Sequence, residues 1–484
     1  MKVARVSWSL ALAAAGALPS LAQAQGFGLN EIGSCAVGRG AAVTARPCED
    51  ASTLFWNPAG LVGLPNGLSL YGGAAGISIK GDFTQDVTGN TYEGDVPVVV
   101  PPHLFASYKF SPRVAAGIGM YVPYGLTSQW RDDFPGRFSA LKAALASIYV
   151  QPTLALDVVP GRFSVGGGPV FGHSTVELYQ AIDLSQQVAA RNPDGSVRAT
   201  FAQLGIPQGT EFARARLKGD ANAWGFQLGA HAKLTNTLDV GVRWLSALQF
   251  EYEDAEATFQ QRLTGLTLAQ GNPITPGGVS APLDPILATQ FTTTSTTVGP
   301  LTSRSGSSAI KHPGQLQMGI AWSGLARTTL SLDATYFTWS DFEVLPVAFG
   351  GENAPASRTI IEDYEDIWRF AVGLEHKFDD RFLGGFANNW AGRLGYSQNN
   401  SPAPDATVTP LLPEMDRRNY ALGLGIPLSP RYGLDVSYLR VDTPGRRGRV
   451  VERASREETA EELNTGFYRL TDVNILSLSF KAYF

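Results

Sequence analysis

The sequence predicts an all-β protein, a transmembrane antiparallel β-barrel of about 14 strands with an N-terminal hatch, or plug, inside its lumen. Three observations predict it. An export leader opens the chain, stretches of about ten residues alternate apolar and polar side chains through the remainder, and tight turns alternate with long polar loops between those stretches.

The leader carries Lys2 and Arg5, an apolar run over 8–18, Pro19 and an Ala22-Gln23-Ala24 ending, so the mature chain is expected to begin near Gln25. Without Lys2 and Arg5 the chain holds 36 basic and 43 acidic residues, a formal charge of −7. The one basic cluster, Arg446-Arg447-Gly448-Arg449, runs at once into acidic residues and reads as a solvated loop, so no nucleic-acid partner is expected. No linker-like tract divides the roughly 460 mature residues, which favours a single domain. Past the leader no apolar stretch approaches the roughly 18 residues of a spanning helix. A chain of this kind crosses a bilayer only as a closed barrel, whose backbone groups are all paired. Cys35 and Cys48 are the only cysteines, and a disulfide is favoured over a metal site, which needs further ligands where no His lies nearby.

Alternating faces place the strands near 67–79, 101–110, 113–124, 146–158, 162–182, 212–234, 237–259, 313–323, 327–341, 362–378, 387–398, 416–427, 431–442 and 470–484. In the fourth, Val150, Pro152, Leu154, Leu156 and Val158 oppose Gln151, Thr153, Ala155 and Asp157; in the sixth, Trp224, Phe226 and Leu228 oppose Gly225, Gln227 and Gly229. The oily faces belong against lipid and the polar ones toward the lumen. Tight turns fall at Ser111-Pro112, Pro160-Gly161, Thr235-Asn236, Gly324-Leu325 and Ser429-Pro430, and the longest loops at 183–211, 260–312 and 443–469. A soluble sandwich has no reason to segregate its connections in this way. The even strand count puts both chain ends in the periplasm, and the terminal Phe484 resembles the signal read by the outer-membrane barrel assembly machinery.

Residues 25–66 do not alternate, hold a helix-compatible piece over 50–56, and are too few to bury a core of their own. Their apolar content favours the barrel lumen, which divides the chain into a leader (1–24), a plug (25–66) and a barrel (67–484).

Gly26-Phe27, Leu29-Asn30-Glu31, Gly38-Arg39 and, above all, the run Leu54-Phe55-Trp56-Asn57-Pro58-Ala59-Gly60-Leu61 resemble the start of the FadL/TodX (OmpP1) family of outer-membrane transporters for long-chain fatty acids and aromatic hydrocarbons. The likeness continues through Pro123-Tyr124-Gly125-Leu126, Trp339-Ser340-Asp341-Phe342, Asn400-Ser401-Pro402 and Asp416-Arg417, nearly the whole mature chain. It implies a route. Ligand is caught among the outer loops, enters an apolar pocket inside the barrel, and leaves sideways beside a kink in the third strand when the hatch moves.

The resemblance makes Asn57, Pro58 and Ala59 the gating segment of the hatch and Pro123 with Gly125 the third-strand kink, where a missing donor and a missing side chain interrupt a ladder. Placed by its range, that pair lies at the outer end of the strand. Phe27, Leu29, Leu54, Phe55 and Trp56 are candidates for an apolar lining, and each methylene they remove from water is worth roughly 0.8 kcal/mol. Arg214, Arg216, Lys218, Arg243 and Lys311 are candidates to meet a ligand carboxylate, against the ordinary fate of pairing with acidic loops or with lipopolysaccharide phosphates. The expected partners are a fatty acid or an arene and the surrounding outer-membrane lipid and lipopolysaccharide, with no cofactor, no metal and a monomeric state. Two rivals stand beside this reading. A porin for polar solutes gains nothing from an apolar plug, and an enzyme is disfavoured because His103, His173, His231, His312 and His376 sit in no metal or nucleophile motif. The long loops also suit an adhesin or phage receptor.

Overall fold

A computed structural model describes residues 26–292, 301–350, 357–380, 382–457 and 465–484; the leader and Gln25 lie outside the described residues. Fourteen antiparallel strands close into a barrel. In chain order they are β1 (Gly67–Gln85), β2 (Pro102–Ser111), β3 (Val114–Gln129), β4 (Lys142–Val159), β5 (Phe163–Asp183), β6 (Glu211–Lys233) and β7 (238–261). They continue with β8 (304–325), β9 (328–349), β10 (358–377), β11 (Ala391–Asn399), β12 (Arg417–Pro427), β13 (Tyr432–Asp442) and β14 (Gly466–Tyr483). β1 pairs with β14 from Ser69↔Tyr483 to Gln85↔Gly466, so no open edge joins the chain ends. Side-chain alternation sorts the two faces: Leu154, Trp224 and Leu476 are exposed outward, and Gln151, Gln227 and Ser477 are fully buried inward.

Several strands run farther on the loop side than the sequence expectation, β1 to Gln85 rather than 79, β4 from Lys142 rather than 146 and β14 from Gly466 rather than 470, while β11 starts at Ala391 rather than 387. Two further differences bear on the site. β3 runs to Gln129 rather than 124, which puts Pro123 and Gly125 in mid-strand instead of at its outer end. Four neighbouring strands are also broken at one height. β7 is interrupted at 246–247, β8 at Pro313 and Gly314, β9 at 338–343 around a 3-10 turn (Trp339–Asp341), and β10 at 362–366. The registers Leu245↔Gln315, Gln315↔Phe337 and Phe337↔Ile367 align these breaks. Pro313 cannot donate to a ladder, and the turn at Trp339 carries that indole inward to complete burial.

Residues 26–66 are folded inside the barrel as two short helices, α1 (Ser34–Gly38) and α2 (Thr53–Trp56), followed by a 3-10 turn (Pro58–Gly63). Asn57 caps that turn by accepting from the Ala59 N–H at 3.2 Å, with Pro58 in the first position, where a missing donor costs nothing. A Cys35–Cys48 disulfide closes the segment on itself. The barrel holds it by buried polar bonds. Asp333 Oδ2 accepts from Val43 N, Thr44 N and Thr44 Oγ1 at 2.9, 2.9 and 2.7 Å. Arg369 donates to the Gly40 carbonyl at 2.6 Å, Arg39 to Ser331 Oγ at 2.7 Å, and Gln227 to the Phe55 carbonyl at 2.7 Å.

Between these anchors the plug backbone lies directly on the wall, which approach requires wall residues without side chains. A Cβ at Gly395 would stand 2.0 Å from the Gly40 nitrogen, one at Gly241 2.3 Å from the Thr44 oxygen, and one at Gly229 2.4 Å from Asn57 Oδ1. Gly395→Val and Gly241→Val are therefore expected to displace the plug, each at about 1–3 kcal/mol of overpacking, and to leave the hydrogen-bonded barrel closed. Limited proteolysis of protein that still migrates as a folded barrel before heating should show cleavage within residues 26–66. Gly63→Ala, where nothing lies within 4 Å of the added carbon, should stay resistant.

Candidate functional site: an apolar cavity through the barrel wall

β2 starts at Pro102 and follows β3 only as far as Leu104↔Met120. Beyond that pair, residues 121–129 of β3 have no β2 neighbour, and β1 is met instead by the bridge Ile77↔Val99 and, farther out, by Thr91–Glu93, which pair with residues 82–84. On its other side β3 slips register against β4 between Tyr121 and Tyr124, a bulge formed by Val122 and Pro123. The result is a gap in the wall between residues 95–101 and the outer half of β3. The chain's own first described residues cover part of it: Leu29 N–H donates to the Pro123 carbonyl at 2.8 Å, and Gly125 N–H donates to the Phe27 carbonyl at 2.9 Å. Gly28 is thereby bridged antiparallel to Tyr124.

Behind the gap lies a cavity of about 410 Å³, within the size range of small-molecule pockets. Its walls are apolar, with Ile77, Val99, Val122, Leu126, Leu145 and Ile475 among them, and Glu31, Arg417 and Asn419 stand at its polar end. Inward residues such as Leu145 and Val176 line it together with Ala144, Ala146 and Ile148, which alternation turns outward. The space therefore runs from the lumen through the wall to the outer surface.

Phe27 closes the inner side. Its ring is 4% exposed and meets Trp339, Phe342, His312 and Tyr124 edge-on, with centroids 4.6, 5.6, 5.7 and 6.1 Å away. Such pairs are worth about 0.5–1.5 kcal/mol each beyond burial. The Tyr124 hydroxyl donates to the Pro313 carbonyl at 2.7 Å and accepts from Gln315 Nε2 at 2.7 Å, so the breaks in β8 and β9 are what build this cage. At the polar end Arg417 donates to Glu414 Oε1 at 2.8 Å and to the Gly26 carbonyl at 3.4 Å. Burial pushes the Glu31 and Glu414 carboxyls above their ordinary range, and Arg417 opposes that rise at both.

Of the apolar candidates, Phe27 and Leu29 line the cavity. Leu54 packs on Gly117 and Gly119, Trp56 donates to the Ile32 carbonyl at 2.9 Å, and Phe55 lies under Arg243 at 4.2 Å, so these three anchor the plug. Asn57 donates to the Thr44 and Ala230 carbonyls at 2.9 and 3.0 Å, which ties plug to wall away from the cavity. Among the cations only Lys218 touches the cavity, at its outer rim. Arg214 pairs with Glu211 and Asp132 at 2.6 and 3.0 Å, Arg216 with Glu177 at 2.7 Å and Lys311 with Asp341 at 2.5 Å, while Arg243 sits beneath the plug. Arg417, Asn419 and Glu31 are cavity residues that the sequence reading did not select. Strand alternation from Tyr420 outward would have turned both Arg417 and Asn419 inward. Among the described residues, the one set of three potential metal ligands is Cys35, Cys48 and Asp50, and both of its thiols are spent in the disulfide.

Residues 15–484 match the family model described as outer membrane protein transport protein (OMPP1/FadL/TodX). A "long-chain fatty acid transport protein" of Escherichia coli O6:H1 is 24% identical over 88% of this chain and 89% of its own, and a "47 kDa outer membrane protein" of Pasteurella multocida is 22% identical over 90% and 92%. Among solved structures, a Pseudomonas aeruginosa FadL homologue superposes with a TM-score of 0.72 at 21% identity, covering 95% of this chain and 100% of that one. The Pseudomonas putida toluene transporter TodX gives 0.64 at 15%, covering 95% and 99%. The closed barrel and the match along nearly the whole sequence agree, and the chain belongs to the OMPP1/FadL/TodX family of outer-membrane transport proteins, which are not enzymes.

Proposed function

We propose that this protein passes hydrophobic small molecules, above all long-chain fatty acids, from the cell exterior into the outer membrane by way of the wall cavity. The observation that carries this is the lining of one apolar space by inward and outward residues at the one place where β3 lacks its β2 neighbour. Residues 27–29 are the moving stopper in this reading, with the remainder of the plug fixed.

Relative costs favour the sideways exit. Freeing the lumen would break the bonds to Asp333, Arg369, Gln227 and Asn57 and leave buried partners unpaired, at about 1–3 kcal/mol for each group. Lifting residues 27–29 breaks two backbone bonds and unseats one ring. A ligand then regains that loss, since each methylene entering the apolar cavity contributes roughly 0.8 kcal/mol. A fixed plug also gives polar solutes no axial pore, which disfavours the porin reading. A fatty acid is preferred over an arene because the cavity pairs long apolar walls with a polar end, and because relatives matched over most of their length carry the name long-chain fatty acid transport protein.

Cells lacking their own transporter and expressing this protein should take up radiolabelled long-chain fatty acid faster than toluene. Entry of small polar solutes with neither hydrophobic probe would reject the proposal. Replacing Pro123 and Gly125 together by Val, to restore a regular strand, should lower fatty-acid uptake at least tenfold with an unchanged amount of folded barrel in the membrane. Phe27→Ala should act in the opposite direction, raising the initial uptake rate severalfold, because the cage loses its resident ring.

A further inference from the structure

At the periplasmic end of the barrel, where β1 begins and β14 ends, the turns at 112–113, 160–162, 234–237, 326–327 and 428–431 reverse the chain in two to four residues each. The connection from β10 to β11 is longer and runs from 378 to 390. A hairpin needs only about two to five residues to turn, so the surplus has another use.

That surplus is apolar. Phe382, Leu383 and Phe386 are 43, 66 and 74% exposed, and the acids Asp379 and Asp380 stand just before them. A 3-10 turn (Phe382–Gly385) folds the chain back toward the wall. The rings of Phe378 and Phe382 then stack with centroids 4.3 Å apart, and Phe386 meets Trp390 at 5.4 Å. Phe378 itself lies over Gly392 of β11, where a Cβ would stand 3.0 Å from the ring. Alternation along β10 from the exposed Trp368, Phe370 and Val372 puts Phe378 on the face turned to lipid. The connection thus carries the outward aromatic face of the wall past the end of the strands. It also pairs its own backbone: Phe386 N–H donates to the Leu383 carbonyl at 3.3 Å, Asn388 to Gly385 at 3.2 Å and Trp390 to Ala387 at 3.0 Å.

We propose that this connection is an interfacial foot, with Phe382, Leu383 and Phe386 seated in the inner, phospholipid leaflet of the outer membrane. The surface is separate from the transport route, and its failure would leave that reading untouched. Continuity selects lipid as the occupant. Aromatic girdles mark both bilayer interfaces of such barrels, and here Phe382 stacks on a ring of the lipid-facing wall instead of standing free in the periplasm. Internal backbone pairing lets the segment enter the head-group region without stranding polar groups. In a closed ring of 14 strands β10 lies opposite β3, so the foot holds the membrane on the side of the barrel farthest from the gap.

The test is spin-label accessibility in the full chain, held in nanodiscs of phosphatidylethanolamine and phosphatidylglycerol that leave both faces open to solvent. Cys35 and Cys48 are bridged and buried, so a nitroxide attaches only at an introduced thiol. Leu383→Cys and Phe386→Cys report on the foot, Leu332→Cys on the lipid-facing wall, and Asn236→Cys on a turn exposed to water. Oxygen concentrates in lipid and a nickel chelate stays in water. The oxygen-to-nickel collision ratio at 383 and 386 should be severalfold above that at 236 and close to that at 332. Foot labels that match 236 overturn the inference and leave the surface open to the periplasm. Labels shielded from both relaxants overturn it in favour of a second copy of this chain as the cover. Phe386→Cys, at the most exposed of the three side chains, decides the matter if Leu383→Cys does not fold.

Discussion

A backbone crossing lipid has to pair every N–H and C=O within the protein, and the site follows from a stretch where this barrel meets that demand without a neighbouring strand. Outer β3 has no β2 beside it, and the chain answers with residues 27–29, which bond back to Pro123 and Gly125. Proline is suited to the position because its carbonyl is used and it has no donor to leave stranded. Glycine is suited because its missing side chain leaves room for Leu29, 3.1 Å from where a Cβ would stand. Pairing by a detachable segment satisfies the membrane's rule while leaving a place where the wall can be parted.

The same segment links wall and lumen. Its backbone is part of the wall, and the Phe27 ring is part of the aromatic cage beneath. A ligand that displaces the ring therefore acts on the stopper in the gap as well. The rest of the plug resists such movement, since Asp333 alone accepts three of its bonds and the wall glycines admit its backbone with no room to spare.

Much of this architecture was legible in the residues. The turn-side ends of the strands fall within a residue or two of where Pro, Gly and Asn punctuate the pattern, because tight turns have strict local chemistry. The loop-side ends were less legible: β3 exceeds its expected range by five residues, since its alternation lapses at Val122 and Pro123, where the strand bulges. α1, only five residues long, has no periodicity to read. The aligned breaks in β7 to β10 were hidden for a different reason. Pro313 was visible, but that its neighbours break beside it depends on registers that only the closed barrel fixes. In the site itself, Phe27, Leu29, Pro123 and Gly125 were named from their motifs. The cations were chosen for charge at strand ends, a criterion that selects outward ion pairs such as Arg216 with Glu177; Arg417 also stands at a strand end, and only strand parity, which was not applied, marks it as inward.

Those aligned breaks have a mechanical consequence. Where four adjacent ladders stop at one level, the wall on that side consists of two tiers joined by turns rather than by continuous strands. The outer tier shares an apolar core with the loops above it, built on Leu184, Phe212, Leu268 and Leu283, while the inner tier is braced by the plug. Cooperative units of a fold tend to part where hydrogen-bonded continuity ends. The outer half of this side can thus loosen as a unit, exchanging its amides ahead of the inner half, while the plug-filled base of the barrel stays sealed.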